Sequence, residues 1–152
     1  MRKSLGILVD DMSSSQLRFY MTMRLNELSK KNIECVAFFQ NLSLGPVPTC
    51  FATMNVVDCF SFSGSAIATS VSTAQKLLNC PGPKRKYLYF WDLFWLRNHP
   101  KINYEYLANI FSDDRLIPIA RSETHKSIIE RAWNIKVPHI IDDCKFTEEL
   151  TS

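Results

Sequence analysis

Short apolar runs and stretches of helical period alternate along the whole chain, and few folds accept that order. Strand-like runs fall at residues 5–9, 34–39, 65–69, 87–91, 116–120 and 137–141. Helical patterns fall at 14–32, 72–79, 92–111 and 122–134. Strands alternating with helices imply an α/β domain with a parallel sheet. The first run, Leu5-Gly6-Ile7-Leu8-Val9, is almost wholly apolar, as a strand buried on both faces must be. In the first helix Leu17, Tyr20, Met21, Leu25 and Leu28 share a stripe, and Asn32 suits a left-handed exit. Ser72 and Gln75 have capping-box spacing for the second helix. Residues 40–50 carry Gly45, Pro46 and Pro48 and read as a loop; 51–62 is ambiguous, with a short helix near 55–59. Residues 92–111 read as two short helices broken near Pro100. The expected fold is α/β and Rossmann-like, a doubly wound, mostly parallel six-stranded sheet with helices on both faces and right-handed crossovers. The 152 residues suit one domain, 1–145, followed by a polar tail, 146–152.

Several function classes are disfavoured. The net charge is +3, and Lys84-Arg85-Lys86 is the only dense basic run, so nucleic acid is not an expected partner. No stretch has the length of a membrane span, and the apolar run ending at Asp10 is too short for a signal peptide. Five cysteines, an odd number without a CxxC pair, read as reduced thiols of a cytoplasmic protein. Cys144, beside Asp142-Asp143, reads as the most exposed thiol. The four glycines stand far apart, so neither GxGxxG nor a Walker loop occurs, and no cofactor is expected. Neighbouring acids such as Asp10-Asp11 and Asp142-Asp143 point apart, and His99, His125 and His139 lack ligand spacing with cysteine, so no metal is expected either. His125 reads as a partly buried residue of its helix stripe.

A parallel sheet collects its site at the carboxyl ends of the strands. Those ends carry Asp10, Asp11 and Ser13; Gln40; Thr69, Ser70 and Ser72; Trp91 and Asp92; Arg121, Ser122 and Glu123; and Asp142-Asp143. Ser13, Ser72 and Ser122 are expected first as helix N-caps. Acids at this edge can hold hydroxyl groups, and helix starts can take anions. Asp10-Asp11 is not a phospho-acceptor pair of the receiver type, because the third strand, Ser65–Thr69, ends without an acid. Residues 86–97, KYLYFWDLFWLR, crowd aromatic side chains. They read as a central strand and a packed helix, as a stacking platform at Trp91 or Trp95, or as an interface at Phe94-Trp95.

Tyr89-Phe90-Trp91-Asp92, then Ile119-Ala120-Arg121-Ser122-Glu123 with its helix, then Val137-Pro138-His139-Ile140-Ile141-Asp142-Asp143 follow one another along the chain. In this order the chain resembles the N-terminal, acceptor-side domain of GT-B-type glycosyltransferases. It is also similar to the small glycosyltransferase-like proteins of large tailed phages. Trp91 stands where that family has a histidine, and the glycine of its last turn is missing. The resemblance implies a sugar or nucleotide-sugar-like ligand at the strand-end edge. Asp11 or Asp92 would be the base, and Asp10, Ser13, Thr69, Ser70, Trp91, Arg121, Ser122 and Glu123 would line the site. Arg121 would steady phosphate or leaving-group charge. The family holds its nucleotide sugar mainly in a second Rossmann domain with no counterpart here, so the expectation is binding rather than self-sufficient catalysis. The alternative is a non-catalytic, phage-encoded interaction protein. It would act as a homodimer or on a protein partner, through residues 41–50 or Phe94-Trp95.

Overall fold

The computed structural model describes residues 2–11, 15–41, 47–96 and 103–151. Seven strands form one sheet: β1 (Ser4–Asp11), β2 (Glu34–Asn41), β3 (Ala52–Asn55), β4 (Ser65–Ala68), β5 (Arg85–Phe90), β6 (Leu116–Ala120) and β7 (His139–Ile140). Among the described residues four α-helices accompany them: α1 (Gln16–Lys30), α2 (Val71–Asn79), α3 (Tyr104–Phe111) and α4 (Glu123–Trp133). Every strand pair is parallel, in the order β3-β2-β1-β4-β5-β6-β7.

The sheet has seven strands where the apolar runs predict six. The extra one, β3, comes from the ambiguous stretch 51–62 and is followed by a 3₁₀ turn at Val56–Ser61. All four β3 residues are exposed, so burial leaves no alternating pattern to read. At the other border, β7 keeps only two of the five residues expected for the last strand. The expected break near Pro100 lies outside the described residues; on either side stand a 3₁₀ turn, Phe94–Leu96, and α3.

Alternate residues of the central strands feed two separate cores. Leu5, Ile7 and Val9 of β1 pack with Leu17, Met21, Leu25 and Leu28 of α1. Leu8, with Phe38, Ala68 and Phe90, packs with Leu77 of α2, Ile110 of α3 and Ile129 of α4. Fully burying one such side chain stabilises the fold by about 1.5–3 kcal/mol, so the two cores dominate its energetics. Residues 144–151 join the α1 side. Phe146 and Leu150, placed by sequence in a polar tail, are buried there, and Phe146 packs edge-on to Tyr89 at 5.2 Å.

Local signals set the helix ends. Asn32 takes the left-handed conformation at φ 62°, and the Ile33 amide donates to the Leu28 carbonyl, closing α1 as its sequence predicts. No described helix is long and apolar enough to cross a membrane.

Candidate functional site

With all strands parallel, their carboxyl ends share one edge. The chain runs outward from β1 through β2 to β3, then returns past β1 to place β4 on its other side. This reversal opens a crevice between the ends of β1 and β4, where open α/β sheets bind ligands. A cavity of about 390 Å³ lies at this point, within the usual range for small-molecule sites. Asp10, Thr69, Ser70 and Ser72 give it a polar side. Leu17, Val71, Phe90, Trp91, Phe94 and Phe111 give it an apolar, mainly aromatic side, and Asp92, next after Trp91, also lines it.

The polar side is a connected network. Asp10 Oδ1 accepts from Gln40 Nε2 at 3.0 Å and from the Ser70 hydroxyl at 3.3 Å. Gln40 Nε2 also donates to Ser72 Oγ at 3.1 Å, while Gln40 Oε1 accepts from Lys76 Nζ at 2.6 Å. The Thr69 hydroxyl donates to the Leu8 carbonyl at 2.8 Å, tying the β4 exit to β1. Ser70 caps α2: its side chain accepts from the Thr73 amide, and Thr73 Oγ1 accepts from the Ser70 amide at 2.9 Å. The capping box is therefore Ser70 with Thr73, not Ser72 with Gln75. Ser72 is the second residue of the helix, and its hydroxyl accepts from Gln40 instead. Likewise Ser15 caps α1, its side chain accepting from the Arg18 amide, whereas Ser13 lies outside the described residues.

The aromatic side is anchored from the next strand. The Arg121 guanidinium stacks 3.7 Å from the Trp91 ring centre and pairs with Asp143 at 3.1 Å. Tyr89 donates its hydroxyl to the Ile141 carbonyl at 2.7 Å and accepts from the Cys144 amide at 3.2 Å. Burial keeps that phenol protonated, pushing it well above its ordinary value.

Of the residues expected to form a site, Asp10, Thr69, Ser70, Trp91 and Asp92 meet at the cavity. Asp11 is the last residue of β1, in register with Asn41. Arg121 reaches the cavity only through Trp91. Ser122 caps α4, accepting from the His125 amide, as expected of it, and Glu123 stands exposed in the first turn. None of these three lines the cavity. The Gln40–Lys76 arm escapes a strand-end reading, although Gln40 stands at the correct edge; nothing in sequence shows that the Gln40 side chain reaches both Asp10 of β1 and Ser72 of α2. Two further expectations change. Trp95 is buried in the core, edge-on to Phe90 and Trp133, because the 3₁₀ turn folds it inward; it cannot form an interface or stack on a ligand. Cys144 is fully buried rather than exposed.

Among the described residues, no three His, Cys, Asp or Glu side chains gather as a metal site. No protein-family model, curated protein or solved structure matches this chain significantly.

Proposed function

We propose that this chain is a doubly wound, Rossmann-like, glycosyltransferase-like domain that binds a sugar or nucleoside-like ligand in the strand-end cavity. The observation that carries the reading is the meeting, at the β1/β4 crevice, of a carboxylate–hydroxyl network with an aromatic wall. A sugar or nucleoside has the matching surfaces, hydroxyl donors on one side and a flat apolar face on another. Separation of α1 from α2, α3 and α4 between the two cores supports the doubly wound arrangement. Five free thiols, four of them buried, support a reducing, cytoplasmic setting. The reading is of binding; Asp92 at the cavity and Asp11 at the β1 end are its candidate bases, should a second component complete a reaction centre.

Amide NMR titration with a monosaccharide, a nucleoside and a nucleotide sugar tests the proposal. At least one should shift residues 69–72 and 89–94 together and raise the melting temperature. A ligand at one hundred times its Kd stabilises the fold by about 2.7 kcal/mol. Shifts confined to the opposite edge, around Lys84, Arg85 and Lys86, would overturn it.

A further inference from the structure

We infer that the Asp10 subsite of this cavity takes an uncharged, hydroxyl-donating ring, the ribose of a nucleoside or a free sugar, and turns away a phosphate. The inference rests on the binding proposed above and narrows its ligand class.

The argument begins with the two oxygens of Asp10. Oδ1 is occupied by Gln40 Nε2 and the Ser70 hydroxyl. Among the described residues both of these bonds fall on Oδ1 and none on Oδ2, on a residue that lines the cavity and is only partly buried. An open carboxylate oxygen accepts; it has nothing to donate to an anion. A hydroxyl placed on it forms a charge-assisted hydrogen bond, one of the stronger kinds. A phosphate there would face direct charge repulsion.

The cations nearby stand outside the cavity lining. Lys76 Nζ donates to Gln40 Oε1 at 2.6 Å and is not among the lining residues. Arg121 lies on the Trp91 ring and pairs with Asp143. The cavity has no lysine or arginine among its described lining residues. Helix starts commonly attract phosphate; at α2 the Thr73 amide already donates to Ser70 Oγ, and the Thr69 and Ser70 amides just ahead of the helix donate to Thr73 Oγ1. The negative charge favoured at that helix start is already supplied from within the chain, by Asp10 against the Ser70 hydroxyl.

Gln40 is then a positioning residue. It fixes which carboxylate oxygen is left open, while Lys76 fixes which end of the Gln40 amide faces Asp10. Gln40→Glu would replace the donor by a second carboxylate, leaving Asp10 oriented by Ser70 alone.

The test compares three probes on the same protein by calorimetry and amide NMR: uridine, uridine monophosphate and methyl glucoside. The expected result is that uridine or the glucoside binds at the cavity, and that adding the phosphate to uridine gives no gain in affinity. Asp10→Asn should weaken that binding at least tenfold. Gln40→Ala should weaken it less, while leaving the shift pattern at residues 89–94 in place. Tenfold tighter binding of the monophosphate, or binding unchanged in Asp10→Asn, would overturn the inference while leaving a strand-end binding domain standing. No shift at the cavity with any of the three would remove both. Unfolding curves of each variant keep a loss of affinity separate from a loss of fold.

Discussion

Cys144 is fully buried, with a left-handed backbone at φ 58° directly after Asp143 at φ 44°. Two successive non-glycine residues in this region cost about 1–3 kcal/mol each, so the turn depends on what holds it. Arg121 grips the Asp143 carboxylate, and the Tyr89 hydroxyl takes the Cys144 amide. The surrounding Asp142-Asp143-Cys144-Lys145 is polar, and that is why sequence suggests an exposed thiol; the burying partner, Tyr89, lies on a distant strand. Burial pushes the thiol from its ordinary 9.0 up to about 12, against a smaller lowering by the Arg121 charge. Because the folded value is raised, the folded state holds its proton where the unfolded chain has lost it. This contribution is fully present below pH 9, and it is lost as pH rises from 9 toward 12. Each such group gives a slope of at most about 1.4 kcal/mol per pH unit. Cys59, also raised to about 12 by burial, and then by its neighbour Cys80, adds to the same fall. Urea unfolding at pH 7, 9, 10 and 11 should therefore show falling stability above 9, with a shallower fall in Cys144→Ala. A flat profile to pH 11 would contradict the burial of both thiols.

At the scale of elements, the strands that sequence reveals are those whose side chains are buried on both faces. β1, β4 and the middle of β5 are apolar because two cores demand it. β3 escapes because it borders the sheet and all four of its residues are exposed. Helix starts are legible in kind but not in register: Ser70 and Ser72 both stand before a helical pattern, each with a plausible partner three residues on. The structure selects Ser70 because its extended backbone, φ −148° and ψ 169°, lets both bonds of the box close with Thr73. The two serines then differ in what they stabilise. Ser70→Ala removes an N-cap and should cost about 0.5–2 kcal/mol. Ser72→Ala removes one partly solvated bond to Gln40 and should stay within about 0.5 kcal/mol, as exposed positions usually do. Denaturant midpoints of the two variants decide it; equal losses would mean that the cap is shared.

For the whole molecule, β1 is the hinge of the design. It pairs with β2 on one side and β4 on the other, so the reversal of strand order and the crevice both belong to it. Which edge would bear a site follows from parallel strands alone, and the acids and serines there are visible in sequence. Which of them converge depends on strand order, and strand order is set by crossovers that leave no local mark. The α1 side shows the same limit. There a helix and the residues after β7 share one cover, and a stretch of polar composition hides its anchor. Phe146 has no exposed surface, packs against Tyr89, and its carbonyl accepts from Arg24 Nε at 2.7 Å. Through Tyr89 it backs the strand whose end carries the cavity wall. Phe146→Ala should cost about 3–5 kcal/mol, the range for emptying a buried aromatic site. That is a large part of the roughly 5–15 kcal/mol that holds a domain together. Glu148→Ala serves as its control, because the Lys3–Glu148 pair is 3.6 Å apart, more than half exposed on both sides, and worth about 0–1 kcal/mol. Thermal and urea unfolding should separate the two by several kcal/mol. If Phe146→Ala fell within 1 kcal/mol of its control, residues 144–151 would be a dispensable appendage, and the sheet would have to keep its α1 side closed without them.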